Sequence, residues 1–206
     1  MQENKLYDNL KELCEKRKSR RVFKDIPVPD EIIEKILDIA KTSPYASGKN
    51  NWDIKVIKDK EILKSIVMAV KDKSLELIKN IDDEYSNGFQ QYSSNFVFFE
   101  NAPVVFFLNF RVQKSVSLML KKSMADDIDS ITFGKVKEKI IEWERDSFVK
   151  SISCVAMLIL LAAESLGLGA CYMTGPLIAE EEISIIINVK NGRNIGAIIP
   201  VGFKES

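Results

Sequence analysis

The 206-residue chain contains no histidine. That absence excludes Ser-His-Asp and Cys-His nucleophilic sites, histidine-ligated metal sites and a histidine general base. Any chemistry here uses other side chains or a borrowed cofactor. Cysteine is scarce, and Cys14, Cys154 and Cys171 are odd in number and widely spaced. Their apolar or helical settings fit buried thiols in a reducing compartment better than a disulfide framework. Neither sign of charge is in excess, Lys plus Arg and Asp plus Glu each numbering 30. Zero net charge argues against bulk binding of nucleic acid or an acidic membrane, while allowing a local basic patch. No Pro-, Gly- or Ser-rich linker divides the chain, so residues 1–206 are expected to form a single domain. The stretch MQENKLYDNLKELCEK has no apolar signal core, which favours the cytoplasm.

What is present centres on Phe148 to Gly175, FVKSISCVAMLILLAAESLGLGACYMTG. Residues Ile152 to Ala163 are apolar nearly all round, which predicts a buried helix with no solvent face. The run stops at Glu164, short of the roughly 20 apolar residues of a membrane span. Gly167 and Gly169 break the helix, GACYM is a candidate strand, and Thr174, Gly175 and Pro176 end it in a sharp turn whose amides could face a ligand.

Before this spine, Leu6, Leu10, Leu13 and Cys14 predict an amphipathic helix to about Arg17. It runs into a basic cluster, Lys16, Arg17, Lys18, Arg20, Arg21 and Lys24. Three readings stand: cations offsetting the helix dipole, an anion site where Arg forks and the Ser19 hydroxyl converge on a phosphate, or a nucleic-acid patch. The last lacks interleaved aromatics beyond Phe23. Pro27 and Pro29 introduce a helix with Ile32, Ile33, Ile36, Leu37 and Ala40 inward, closed by Pro44. The loop YASGKNNW follows, then a strand over Asp53 to Lys58 and a helix capped by Asp59 with Ile62, Leu63, Ile66, Val67 and Val70 inward. From Asp82 to Asn101 the chain is polar but carries Tyr85, Phe89, Tyr92, Phe96, Phe98 and Phe99, which either cover the core or line a planar-ligand pocket. Ala102 to Phe110 is a candidate buried strand. Arg111 to Asp146 looks helical and charged with a break near DDIDSITFG; AEEEISIIINV is a helix and NIGAIIPVGF a last strand. Helices outnumber strands without βαβ alternation, an α+β pattern.

These blocks carry a family resemblance. RKSRRVF resembles the Arg-x-Ser-x-Arg-x-Phe signature of the flavin-dependent nitroreductase family, APVVFFLNF its Ala-Pro-Val-Val strand, LLAAESLGLGACYMTGP its core helix and turn, and IGAIIPVGF its closing strand. The resemblance implies a nitroreductase-like fold: a central, mainly antiparallel sheet of about four strands flanked by helices, in an intertwined homodimer. It implies two flavin mononucleotide (FMN) sites, each built from both subunits. Arg17, Lys18 and Ser19 would hold the phosphate and ribityl chain, and Arg21 would sit beside the flavin pyrimidine edge. The amides of Thr174 and Gly175 would face flavin N5 and O4. Pro44, Tyr45, Ala46 and Ser47 would reach the flavin from the partner subunit, with Asn50 standing for the family's asparagine.

The family's Asn-x-Gln-Pro-Trp loop ending is here GKNNW, and the Gln-Asn pair of its core helix is Met157 and Leu158. Its basic C-terminal tail is matched only by Lys204, Glu205 and Ser206, so Lys204 is the candidate replacement at the phosphate site. The activity implied is ping-pong hydride transfer from NADH or NADPH through the flavin to a planar acceptor, a nitroaromatic or quinone. Alternatives are the same flavin used for dehydrogenation, dehalogenation or flavin breakdown, or a non-catalytic dimer binding an anion or nucleic acid. The first reading needs neither a metal, a nucleic acid nor a membrane.

Overall fold

The computed structural model describes residues 2–46, 51–114, 116–120 and 130–205. In chain order the elements are α1 (Gln2–Lys16), α2 (Asp30–Ala40), β1 (Trp52–Ile57), α3 (Lys60–Ile78), α4 (Asp83–Ser93), a 3-10 helix (Ser94–Asn101) and β2 (Val104–Phe110). They continue through α5 (Val116–Met119), α6 (Ser130–Ser165), β3 (Leu168–Ala170), a second 3-10 helix (Gly175–Ala179), α7 (Glu180–Ile186) and β4 (Asn194–Phe203). The strands form one antiparallel sheet in the order β1-β2-β4-β3, the α+β architecture expected.

β2 lies between two strands and is buried along its whole length. Successive side chains point to opposite faces of a strand, so the run VVFFLNF supplies both. Val104, Phe106, Leu108 and Phe110 join Ala197, Ile199 and Val201 of β4 beneath α2 and α6. Val105, Phe107 and Ile198 face the other way, beneath α3, the first 3-10 helix and α7. Each fully buried side chain of this size contributes about 1.5–3 kcal/mol. The sheet is thus a layer between two helical layers, and that separation later decides what one chain can bring together.

Local chemistry sets the element ends. Asp59 accepts hydrogen bonds from the Glu61 and Ile62 N–H groups and starts α3. At the C-terminus of α6, Leu166 N–H bonds to the Ala162 carbonyl and Gly167, at φ +80°, donates to the Glu164 carbonyl. Only glycine takes that left-handed geometry cheaply. The chain can therefore turn at once into β3, one residue later. Gly169 belongs to β3 and is not a helix break as expected; the strand begins at Leu168 and its regular pairing stops at Ala170. The polar, aromatic stretch from Asp82 is helical, although only Ser93 of α4 is buried. Such a helix has no apolar stripe for sequence periodicity to reveal.

Two expectations about burial fail. Phe148, Ile152, Val155, Ala156, Ile159 and Ala163 of α6 pack into the core, but Ser153, Cys154 and Met157 lie on an outer face, Met157 being 48% exposed. α6 is apolar enough by composition to cross a membrane, yet its buried side rests on the sheet as a core helix. One side of a helix is all that a flat sheet can cover. α1 packs against α6 and not on the sheet, and leaves Leu6, Leu10 and Cys14 exposed with Leu13 only partly covered. Of the three thiols only Cys171 is buried. The expected break between the charged stretch and the spine is absent over 130–134, which opens α6; residues 126–129 of that expectation lie outside the described residues.

Glu144 is the buried acid of α6. It accepts from the Val116 N–H and the Ser117 hydroxyl, both at 2.7 Å, and so anchors α5 to the long helix. In the core, Ile159→Ala removes a fully buried side chain and is expected to lower unfolding free energy by about 2–5 kcal/mol. Urea unfolding at unchanged m-value measures this; a loss below about 0.5 kcal/mol contradicts the packing described.

Candidate functional site

Residues 17–24 run in extended form along the β3 edge of the sheet. Ser19 forms a parallel bridge with Ala170, Arg20 N–H donates to the Ala170 carbonyl at 3.0 Å, and Lys24 N–H donates to the Phe203 carbonyl at 2.9 Å. Extended backbone sends alternate side chains to opposite sides. Arg17, Ser19, Arg21 and Phe23 therefore share one side. Phe23 is buried in the cluster under α3 with Cys171 and Met173, and Arg21, Ser19 and Arg17 all act on the Cys171 thiol. Burial pushes that thiol up, and the Arg21 charge, a Ser19 hydrogen bond and the Arg17 charge partly offset the rise. The thiol stays protonated and inert at neutral pH.

The same side receives the Thr174–Gly175 turn. Met173 exchanges two 3.0 Å backbone hydrogen bonds with Ile198, which fixes the strand end, and Gly175 opens a 3-10 helix. The first N–H groups of a helix have no internal partner, and among the described residues nothing accepts from Thr174 or Gly175 N–H. A side chain at Gly175 has no room: a Cβ there would lie 2.4 Å from the Phe96 ring. Phe96 in turn meets Tyr92 edge-on at 5.0 Å, and the Arg21 guanidinium lies over the Phe98 ring at 5.8 Å. Phe96 and Phe99 of the aromatic stretch are thus core, while Tyr92 is exposed against Phe96 and Phe98 is half-buried beside Arg21.

Even-numbered positions face elsewhere. Arg20 packs on Gly169, where a Cβ would come within 2.8 Å of the Arg20 Cβ. Lys18 is exposed and pairs with no acid among the described residues. Lys204 neighbours Gly169, but its ammonium is held 2.5 Å from a Glu164 carboxylate oxygen. Glu164 thus absorbs charge that Lys204 was expected to offer an anion. The reading along the chain missed Glu164, whose signal was an acid ending an apolar run.

Pro44, Tyr45 and Ala46 lie on the other side of the sheet. Ala46 N–H donates to the Ser151 hydroxyl of α6 at 3.0 Å. The Tyr45 ring packs on Trp52 and Phe148, with centroids at 6.4 and 5.9 Å. Burial pushes the Tyr45 phenol up to about 12, with the Arg193 charge pulling slightly the other way. Arg193 itself is paired with Asp53 at 3.0 Å, and Asp53 also accepts from Asn109 at 2.7 Å. Ser151 was also missed, its signal being a hydroxyl inside an otherwise apolar face. Ser47 and Asn50 lie outside the described residues.

Within one chain, then, Arg17, Ser19, Arg21, Thr174 and Gly175 come together, and Pro44 to Ala46 do not join them. The first group borders the core under α3 beside β3; the second packs under α6 beside β1, at the opposite edge of the sheet.

The structure is thus an α+β sheet flanked by helices, with two arginines and a hydroxyl gathered at one edge near the Thr174–Gly175 turn. A profile of the nitroreductase family matches residues 14–203, and the chain belongs to that family. A protein of Archaeoglobus fulgidus provisionally named NADH dehydrogenase/NAD(P)H nitroreductase is 42% identical over 53 residues, 26% of this chain and 30% of that protein. One of the same name from Methanothermobacter thermautotrophicus is 38% identical over 55 residues, 27% and 29% of the two chains. The chain therefore spans only about 30% of these curated relatives. Among solved structures, a BluB-like flavoprotein from Clostridium difficile 630 superposes with TM-score 0.78 at 24% identity, covering 96% of this chain and 90% of that one. Iodotyrosine deiodinase bound to FMN and 3-iodo-L-tyrosine gives 0.68 at 18% identity, covering 96% and 90%. A nitroreductase with bound FMN from Bacteroides fragilis gives 0.66 at 14%, covering 94% and 87%. At these identities the likeness is one of fold.

The contact between Gly175 and Phe96 is testable. Gly175→Ala is expected to cost about 1–3 kcal/mol through overpacking, and Phe96→Leu should relieve part of it. A double-mutant cycle in denaturant reads this as a favourable coupling above about 0.5 kcal/mol; simple additivity would show that the ring does not abut the turn.

Proposed function

We propose that this chain is an FMN-dependent oxidoreductase that uses NADH or NADPH to reduce a small planar acceptor such as a quinone or nitroaromatic. One observation carries the reading. Arg17 and Arg21, with no carboxylate partner among the described residues, and the Ser19 hydroxyl share one side of β3 with the unpaired N–H groups of Thr174 and Gly175. A set of donors without acceptors suits a ligand bearing a phosphate and carbonyl oxygens, and so fits FMN.

When bound, FMN would supply the two-electron chemistry of a ping-pong hydride transfer between nicotinamide and acceptor. The chain supplies position and charge. Arg17 and Ser19 would hold the phosphate and ribityl hydroxyls, with Lys18 adding positive charge from the solvent side. Arg21 would lie by the pyrimidine edge and favour the negative charge that reduction brings. Thr174 and Gly175 would offer N–H donors to the ring. Lys204, balanced by Glu164, shapes the phosphate end without contributing a full charge there.

Completing the site requires a second copy of the chain. Pro44 to Ala46 would approach the flavin from the partner of an intertwined homodimer. The uncovered apolar side chains of α1 and α6, among them Leu6, Leu10 and Met157, support an interface of that kind. We place the protein in the cytoplasm as one FMN-binding domain over residues 1–206, acting on a free small molecule, with no role for nucleic acid, membrane or metal. The deiodinase among the fold neighbours supports a second reading, the same flavin site serving dehalogenation, dehydrogenation or flavin breakdown. Steady-state turnover across a panel of quinones and nitroaromatics separates the two, since the second reading gives no turnover with any of them.

Purified protein is expected to show flavin absorption bands and to release FMN into the filtrate after heating. A colourless protein that also fails to bind added FMN overturns the proposal. Arg21→Ala is expected to slow flavin reduction by about tenfold or more, the loss of a charged contact worth about 1.5–3 kcal/mol. The FMN Kd should rise less than about threefold. Stopped-flow reduction and flavin titration measure both, and equal losses would remove Arg21 from its assigned role.

A further inference from the structure

Arg21 is an exposed cation at the edge of the sheet. Its guanidinium lies 5.8 Å from the centroid of the Phe98 ring, and among the described residues no carboxylate pairs with it. Glu164, a half-buried acid on the other side of this segment, is occupied by Lys204. The ring is well anchored. Phe98 sits in the 3-10 helix between Phe96, which presses on Gly175, and Phe99, which is fully buried; Ala102 N–H closes the turn on the Phe99 carbonyl at 3.0 Å. One rigid aromatic segment therefore touches both the cation and the amide turn of the candidate site.

The choice of an aromatic partner has an electrostatic consequence. A carboxylate would orient Arg21 but neutralise it. An aromatic face orients the guanidinium through the ring quadrupole and leaves its charge intact. We infer that Phe98 is a positioning residue for Arg21: it holds an un-neutralised guanidinium toward the redox group and thereby raises the potential of that group. This rests on the reading that FMN binds beside Arg21. Phe98 acts through Arg21 and does not itself exchange electrons or protons.

The test is the midpoint potential of FMN bound to the full chain, measured by equilibration with reference dyes, alongside the Kd of oxidised FMN. Phe98→Leu is expected to reduce the preference for reduced over oxidised flavin about three- to tenfold, a shift of roughly 15–30 mV to more negative potential. The Kd of oxidised FMN should change less than about twofold. Phe98→Tyr should restore the wild-type potential, and Phe98→Leu should produce no further shift in an Arg21→Ala background. Should Phe98→Leu not yield folded protein, Phe98→Met carries the same comparison. An unchanged potential in a variant that still binds FMN overturns the role of Phe98 while leaving the proposed function standing. Equal weakening of oxidised and reduced flavin also overturns it, by reducing Phe98 to a packing residue. Failure of the wild-type chain to bind FMN at all removes the proposed function, and this inference with it.

Discussion

Two backbone hydrogen bonds organise the candidate site: Arg20 N–H to the Ala170 carbonyl and Lys24 N–H to the Phe203 carbonyl. They lay residues 17–24 against the edge of the sheet in extended form. Once the backbone is extended, alternation decides the rest. Arg17, Ser19 and Arg21 gather on the Cys171 side, Phe23 anchors that side in the core, and Arg20 is sent to the opposite side against Gly169. The cations need no acid to hold them in place, because strand pairing and the burial of Phe23 do so. That leaves their charge available.

The pairing depends on a chain of conditions further along the sequence. Gly167 in left-handed geometry ends α6 and delivers β3 to the edge of β4. Gly169 permits the close approach of Arg20, and Gly175 permits Phe96 to lie against the turn. Gly169 and Gly175 act through the absence of one carbon, at contacts of 2.4–2.9 Å that a Cβ would occupy, whereas Gly167 acts through its left-handed backbone. The site is thus defined by where the backbone can approach as much as by the side chains that decorate it.

The sheet also divides the molecule. Because β2 is buried on both faces, it separates two helical layers that share no common surface. Tyr45 and Ala46 belong to the α6 layer, and Arg21 and Gly175 border the α3 layer. Within one chain the sheet stands between the two groups, and the homodimer proposed above would bring them to one ligand. The outward apolar side chains of α1 and α6, which one chain has nothing to cover with, agree with that arrangement.

Much of this was legible along the chain. The strands over Trp52–Ile57, Val104–Phe110 and Asn194–Phe203 follow from period-two or continuous apolar runs, and the Asp59 cap from a short acceptor ahead of an apolar helix face. The Arg-x-Ser-x-Arg-x-Phe spacing contained the alternation itself. Helix α4 was hidden because a helix that buries only a serine leaves no stripe to read. The exposed face of α6, the capture of Lys204 by Glu164, and the Phe98 platform under Arg21 were also hidden, since each depends on residues far apart in sequence. Sequence by itself determined the elements, the α+β class and the family, because periodicity, capping and motif spacing are local properties. Only the tertiary structure decided which cations remain unpaired among the described residues, which face of the long helix is left bare, and that Tyr45 and Ala46 lie across the sheet from Arg21 and Gly175. Those are matters of distance between remote residues, and the packing of layers alone fixes them.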